Sequence, residues 1–155
     1  MAVAISSAVL ARLHALAAAS PEAEICGLLL GAAPERIDAA PAAVNVADAP
    51  ATRFELDPAT LFAALRGERA GRARVLGHYH SHPSGTPDPS PCDAASADGA
   101  GGLWLILAAG EARLWRAVAG GPLHGAFAPV TLVVEPVAET SATRQKGVKG
   151  WSGDV

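Results

Sequence analysis

The sequence has few charged residues, few aromatic residues and almost no cysteine. Charged residues make up 17% of its 155 positions and aromatic residues 5%, against roughly 25% charged in a typical soluble domain. Two cysteines, Cys26 and Cys92, exclude a disulfide framework and a four-cysteine zinc site. Twelve basic and fifteen acidic residues give a net charge of −3. That balance excludes a broad basic surface and argues against nucleic acid as a partner.

Long apolar runs are also missing. No stretch approaches the roughly 18 uninterrupted apolar residues that a membrane span requires. The first twenty residues are apolar, but they lack the basic start of a signal peptide, and Arg12 and His14 interrupt them. Apolar residues recur there at helical spacing instead, at Leu10, Leu13, Leu16 and Ala17. We therefore expect an amphipathic first helix in a soluble, cytoplasmic protein with reduced cysteines and no membrane partner.

Half of the residues are hydrophobic, and apolar runs alternate with glycine and proline breakers along the chain. Strands are predicted at 25–30, 44–46, 53–56, 73–79, 103–107, 112–118 and 130–134. Later helices are predicted to begin at Asp57-Pro58 and at Ser90-Pro91, where an N-cap residue precedes a proline. The interleaving predicts an α/β (α+β) fold with a single mixed β-sheet flanked by helices. We expect residues 1–137 to form one domain and 138–155 a flexible C-terminal tail.

Three of the five histidines, His78, His80 and His82, occupy alternate positions where a predicted strand runs into a proline-rich loop. Alternate residues of a strand share one face, so two imidazoles could point at a single ion. The alternative is a strand face with one buried, hydrogen-bonded histidine and two surface ones. Three alternating histidines ahead of such a loop favour the metal site.

Other histidine motifs do not fit this stretch. A metallo-β-lactamase-like pattern starting at His78 would need aspartate where the chain has His82. A cupin pattern would need a glutamate soon afterwards, and a His-Glu-x-x-His helix is absent from the sequence. A zinc deaminase would need a second cysteine after Cys92, which is followed by Asp93 instead.

The stretch His80-Ser81-His82-Pro83 is followed, after six intervening residues, by Ser90-Pro91-Cys92-Asp93, and Glu24 opens an upstream Glu-x-x-Gly-Leu segment. This arrangement resembles the signature of the JAMM (JAB/MPN+) zinc metalloprotease family, short bacterial type. The resemblance runs from about residue 6 to residue 134. It implies the mixed sheet of a JAMM/MPN domain, with layering similar to that of cytidine deaminases.

The resemblance also implies a role for each residue. His80, His82 and Asp93 would bind one Zn²⁺ per chain, leaving a fourth position for a water whose pKa zinc lowers to about 7. Glu24 would stay off the metal as the general base that moves a proton from water to the leaving amine. Ser90 would donate a hydrogen bond to the oxyanion.

Some residues keep a second interpretation. Ser90 and Asp93 also suit a helix start, as N-cap and capping-box partner, and this role can coexist with metal binding. His78 departs from the family pattern, and we expect a surface residue without a role rather than a hydrogen-bond partner of a ligand. Cys26 and Cys92 are expected to be small buried residues, although thiols near zinc could be sensitive to oxidation.

The implied activity is hydrolysis of an amide or isopeptide bond at the C-terminal tail of a ubiquitin-like or sulfur-carrier (β-grasp) protein. One alternative is a non-catalytic MPN-type scaffold or binding module, which the five filled motif positions argue against. Another is a RadC-like member associated with DNA repair, which the acidic charge balance argues against. The sequence does not identify the substrate, the leaving group or the oligomeric state.

Overall fold

A computed structural model describes residues 1–136, so the predicted tail at 138–155 lies outside the described residues. Strands and helices interleave along this part of the chain, as the sequence predicts. In chain order they are β1 (Ala2–Ser6), α1 (Ser7–Ala18), β2 (Cys26–Gly31), β3 (Arg36–Ile37), β4 (Ala42–Ala43), α2 (Pro58–Arg69), β5 (Arg74–Ser81), α3 (Pro91–Ser96), β6 (Ala100–Ala108), β7 (Glu111–Val118) and β8 (Phe127–Glu135). Within these residues no helix is long and apolar enough to cross a membrane.

The eight strands form one sheet in the order β3-β1-β8-β7-β6-β5-β2-β4. Strand β5 pairs in parallel with β6 and antiparallel with β2, and β1 is parallel to both of its neighbours. The remaining pairs are antiparallel. This arrangement confirms the prediction of a single mixed sheet with helices.

The side chain of the N-cap residue caps the start of each of the two long helices. Ser6 Oγ accepts a hydrogen bond from the Val9 amide at 3.1 Å at the start of α1. The Asp57 carboxylate accepts from the Thr60 amide at 3.1 Å, directly before Pro58 at the start of α2. These side chains satisfy amide groups that a helix leaves free at its N-terminus, which is why the sequence signals were reliable here.

Alternation along the central strands divides the core between the two sheet faces. One cluster contains Tyr79, Leu105 and, from α1, Leu13, all fully buried. The other contains Trp104 and Phe127, whose rings meet edge to face at 4.9 Å. Because side chains alternate along a strand, the histidines that flank Tyr79 point to the Trp104 side.

Several details of the predicted strands were wrong. Strand β1 precedes α1, where only a helix was predicted, because the alternating burial of Val3 and Ile5 was masked by the apolar helix that follows. Residues 44–46 and 53–56 form no strands; the strand in this region is β4 at Ala42–Ala43, and an isolated bridge joins Asn45 to Leu56. Most side chains of the segment 44–56 are exposed, so its apolar alternation does not reflect a packed sheet face.

Gly77 lets β5 and β6 approach each other closely. A Cβ at this position would lie 1.9 Å from the Leu103 carbonyl oxygen and 2.6 Å from its nitrogen, both backbone atoms that cannot move aside. We expect Gly77→Ala to lower the free energy of unfolding by at least about 1–3 kcal/mol, the cost of overpacking. Gly102→Ala is the matched control, because a Cβ there meets no atom within 4 Å. Urea unfolding would contradict this explanation if the two variants were equally stable.

Candidate functional site

The predicted site residues come from three segments that meet where β2 begins and β5 ends. His80 lies near the end of β5 and His82 just beyond it. Glu24 lies just before β2, which pairs antiparallel with β5, with Cys26 opposite His80. Asp93 lies in the first turn of α3. The start of one strand and the end of its neighbour are therefore adjacent, and the fold brings these four side chains together.

Ser81, between the two histidines, fixes the strand ends. Its amide donates to the Ile25 carbonyl at 3.1 Å, and its hydroxyl accepts from the Ile25 amide at 2.9 Å. The side chain is buried. These two bonds hold the residue after Glu24 against the residue before His82, so they set the separation of the acid and the imidazole.

The two histidines and Asp93 converge on a small volume. The Nε2 atoms of His80 and His82 are 3.2 Å apart, and Asp93 Oδ2 lies 3.3 Å from the first and 3.1 Å from the second. Bonds of ~2.0–2.1 Å in a tetrahedral zinc site place ligand atoms about 3.3 Å apart. Two nitrogens and one oxygen at these separations fit such an ion.

A contact with a neighbouring residue holds each of the two imidazoles in its orientation. His82 Nδ1 donates to the Thr86 carbonyl at 2.7 Å, which leaves the Nε2 lone pair directed at the cluster. The His80 ring is stacked on Phe54, with ring centroids 4.2 Å apart and planes 20° apart. The proline-rich loop and the segment around Phe54 thus each hold one proposed ligand.

Glu24 is a buried acid beside this cluster. Its carboxylate, His80 and His82 can each offer one atom within 4.8 Å of the others, so Glu24 is also within reach of an ion. Among the described residues, Glu24 Oε1 is buried without a hydrogen-bond partner. Burial raises the Glu24 pKa to about 7, with a smaller increase from Asp93 opposed by His82. A carboxyl group with that pKa can accept and return a proton near neutral pH.

Ser90 and Asp93 form a complete capping box. Ser90 Oγ accepts from the Asp93 amide at 3.0 Å, and Asp93 Oδ2 accepts from the Ser90 amide at 2.9 Å. The same Asp93 oxygen faces the histidines, so helix capping and membership of the cluster coexist. Burial opposes ionisation of Asp93, but the nearby imidazoles of His80 and His82 and the Ser90 amide together outweigh it and hold the Asp93 pKa well below its usual range.

Comparison with known proteins agrees with this geometry. Residues 6–118 match the family of prokaryotic homologs of the JAB domain. The chain belongs to this family. It is also similar to a desampylase from Haloferax volcanii, with 38% identity over 91 residues. That match covers 58% of this chain and 66% of the desampylase, slightly under two thirds of the relative.

Solved structures show the same fold. A protein from Desulfitobacterium hafniense superposes with a TM-score of 0.73 at 20% identity, covering 88% of this chain and 95% of the other. A protein from Salinibacter ruber gives 0.59 at 25% identity, covering 89% and 94%. A JAB1/MPN domain protein from Archaeoglobus fulgidus gives 0.52 at 18% identity, covering 84% and 99%. The prediction of a JAB/MPN fold is therefore confirmed.

Two cavities border the cluster of Glu24, His80, His82 and Asp93. Glu24, His82 and Ser90 line one of about 340 Å³, together with the loop 83–89. Asp93 and Phe54 line the other, of about 250 Å³. The buried cluster therefore has one cavity next to Glu24 and another next to Asp93.

His78 is half-buried and packed against aromatic rings, so the expectation of a surface residue holds only in part. Its ring meets Trp104 at 4.3 Å and Phe54 at 5.1 Å between centroids. Its Nδ1 is buried and has no hydrogen-bond partner in the described residues, and burial lowers the His78 pKa to about 3. His78 is thus a neutral packing residue behind His80. Cys26 matches its expectation, since it is buried and burial raises its pKa to about 11.

Sequence reasoning missed three residues that support the site. Phe54 stacks on His80, and the Thr86 carbonyl accepts from His82. Asn45 donates to the Glu24 carbonyl at 3.0 Å. None of them belongs to a motif, and Thr86 acts through its backbone. Of the three, only Asn45 stands out in the sequence, because it is the sole asparagine and a polar residue between two valines.

The raised pKa of Glu24 predicts how the stability of the metal-free protein depends on pH. Below about pH 4.5 the group is protonated in both the folded and the unfolded state. Between pH 4.5 and 7 the unfolded chain ionises first, so stability falls as the pH rises and levels off above 7. We expect Glu24→Gln to remove this loss, which makes the metal-free variant about 2–3 kcal/mol more stable at pH 8. Urea unfolding after chelation, at pH 4.5 and pH 8, would refute this if both proteins had the same pH dependence.

Proposed function

We propose that the protein is a zinc-dependent hydrolase that cleaves an amide or isopeptide bond at the C-terminal tail of a ubiquitin-like or sulfur-carrier (β-grasp) protein. The observation that carries the proposal is the cluster itself. Asp93 Oδ2 lies 3.1–3.3 Å from two imidazole nitrogens, and a buried acid with a raised pKa lies beside it. Two nitrogen donors and one carboxylate are typical of a catalytic zinc site with an open position.

Asp93, His80 and His82 are the proposed ligands, with one ion per chain. Asp93 suits the role of third ligand better than Glu24, because its Oδ2 already lies within hydrogen-bonding distance of both histidine nitrogens. Glu24 keeps a buried oxygen without a partner among the described residues. That oxygen suits a group that acts on water rather than on the ion. When bound, zinc would supply Lewis-acid polarisation of the scissile carbonyl and activation of the attacking water.

Two side chains of the protein carry out proton transfer and stabilisation of the oxyanion. Glu24 accepts a proton from the attacking water and donates it to the leaving amine, for which a pKa near neutrality is suited. Ser90 Oγ already accepts from the Asp93 amide, so its own hydrogen is available to the oxyanion. Both side chains line the same cavity as His82, which is the arrangement that one carbonyl group would require.

The substrate class is supported by the family and by the relative. A desampylase, by its name, removes a ubiquitin-like modifier, and this chain is 38% identical to one over 91 residues. An extended tail could reach the site by adding to the open edge of β4, at which the sheet ends. Among the described residues Ala42 and Ala43 pair with β2 alone, whereas the next residue, Val44, is bonded to Asp57, so the open part of this edge is short.

A cleavage assay tests this function. Each β-grasp protein of the host that ends in Gly-Gly would be fused to a C-terminal extension and incubated with the zinc-loaded enzyme. We expect one of these fusions to be cut after the tail, as seen by intact mass, and chelation to stop the reaction. If zinc is bound and no fusion or isopeptide-linked conjugate is cut, the proposal fails and a scaffold role gains support.

A further inference from the structure

Asn45 uses every hydrogen-bonding position of its side chain. Its Nδ2 donates to the Glu24 carbonyl at 3.0 Å and to the Arg53 carbonyl at 3.1 Å. Its Oδ1 accepts from the amides of Ala47 and Glu55, both at 3.0 Å. An amide group has two donor hydrogens and two acceptor lone pairs. The environment also fixes the orientation of the amide, because the reverse orientation would place NH₂ against two N–H groups.

The segment that Asn45 holds is the loop 47–55. Most of its residues are exposed, so few packing contacts fix its position. Thr52 lines the cavity that contains Glu24 and Ser90, whereas Phe54 lines the cavity on the Asp93 side. The loop therefore borders both cavities.

Glu24 is bonded to this loop through its backbone amide and to Asn45 through its backbone carbonyl. Its amide donates to the Pro50 carbonyl at 2.7 Å, and its carbonyl accepts from Asn45. Glu24 precedes β2, so it lies outside the regular hydrogen bonding of the sheet. The position of its carboxylate thus depends on Asn45 and on the loop that Asn45 holds.

We infer that Asn45 is a positioning residue, which fixes the general base Glu24 and the loop 47–55 as one unit. The inference rests on the proposed function for its kinetic effect. Asn45 touches none of the proposed ligands through its side-chain hydrogen bonds, so it acts on the proton acceptor and not on metal binding. A displacement of a reacting group by about 1 Å can reduce the rate by about 10²-fold.

Asn45→Asp is the sharpest test, because it keeps the shape and both acceptor bonds while removing the two donor bonds. We expect its kcat to fall 10- to 100-fold, with KM within twofold and zinc content unchanged. Asn45→Ala removes all four bonds, so it should also raise KM by freeing the loop. In a Glu24→Gln background, the Asn45→Asp change should cause no further loss of rate. Val46→Ala is the control, since Val46 is an exposed neighbour and its side chain carries none of these bonds.

Hydrogen exchange of the Glu24 amide, measured by NMR on the zinc-bound protein, gives a readout independent of turnover. We expect faster exchange in Asn45→Asp than in wild type and in Val46→Ala. The inference is overturned if kcat of Asn45→Asp stays within twofold of wild type, or if the variant loses zinc. If wild type cleaves no substrate, the proposed function fails, but hydrogen exchange still tests the role of Asn45. Unchanged protection of the Glu24 amide in Asn45→Asp overturns the inference, and lost protection supports it.

Discussion

Glu24→Gln is expected to bind zinc as wild type does and to lose about 10²–10⁴-fold of its hydrolysis rate, the usual contribution of a general acid–base. Glutamine has nearly the same shape, so packing around the buried side chain is preserved. It cannot accept a proton at neutral pH, whereas the raised pKa of Glu24 suits it to do so. Because the Asp93 and histidine atoms form a group without Glu24, the ion should stay bound.

The matched control for this variant is Glu22→Gln. Glu22 is only two residues away in sequence but is exposed. Rates would be measured on whichever carrier fusion wild type cleaves, at saturating zinc. Full activity in Glu24→Gln, or an equal loss in Glu22→Gln, would show that Glu24 is not the base.

Asp93→Ala is expected to abolish activity by removing a ligand. Its oxygen is the one that both histidine nitrogens face, and without it only two proposed ligands remain. Zinc at 1,000 times its Kd stabilises a folded protein by about 4 kcal/mol. For a domain of this size, that corresponds to a rise in Tm of roughly 10 °C. We expect wild type to show this rise on addition of zinc and Asp93→Ala to show none.

Asp93 also caps α3, so a control must separate the two roles. Ser90→Ala removes the other half of the capping box and leaves the Asp93 carboxylate in place. It should lose roughly 1 kcal/mol of stability, as N-cap variants do, while keeping the zinc-induced rise in Tm. If Ser90→Ala and Asp93→Ala respond to zinc in the same way, Asp93 is a cap and not a ligand.

The sequence allowed much of the site to be predicted because its motif is local. His80 and His82 lie two residues apart at a strand end, and Asp93 lies three residues after a helix cap. Their spacing survives folding, so a pattern in the sequence corresponds to a cluster in space. Glu24 was more difficult, since it joins them only through antiparallel pairing of β2 with β5. Its family context, and not its spacing, suggested it.

The features that could not be predicted from the sequence depend on tertiary contacts. His78 was expected at the surface, but Trp104 on the neighbouring strand packs against its ring and leaves it half-buried. Asn45 lies 21 residues from Glu24, and the bond between them has no sequence signature. Strand β1 was hidden because two buried residues, Val3 and Ile5, directly precede an apolar helix. In each case the deciding partner is distant in sequence.

The most direct test of the account is the zinc content per chain of Glu24→Gln and Asp93→Ala, purified side by side with wild type. The two carboxylates are the only ambiguous members of the proposed site, since each lies close enough to the histidines to bind an ion. We expect about one zinc per chain in wild type and in Glu24→Gln, and almost none in Asp93→Ala. Zinc lost from Glu24→Gln but retained in Asp93→Ala would reverse the roles of the two residues and contradict the account.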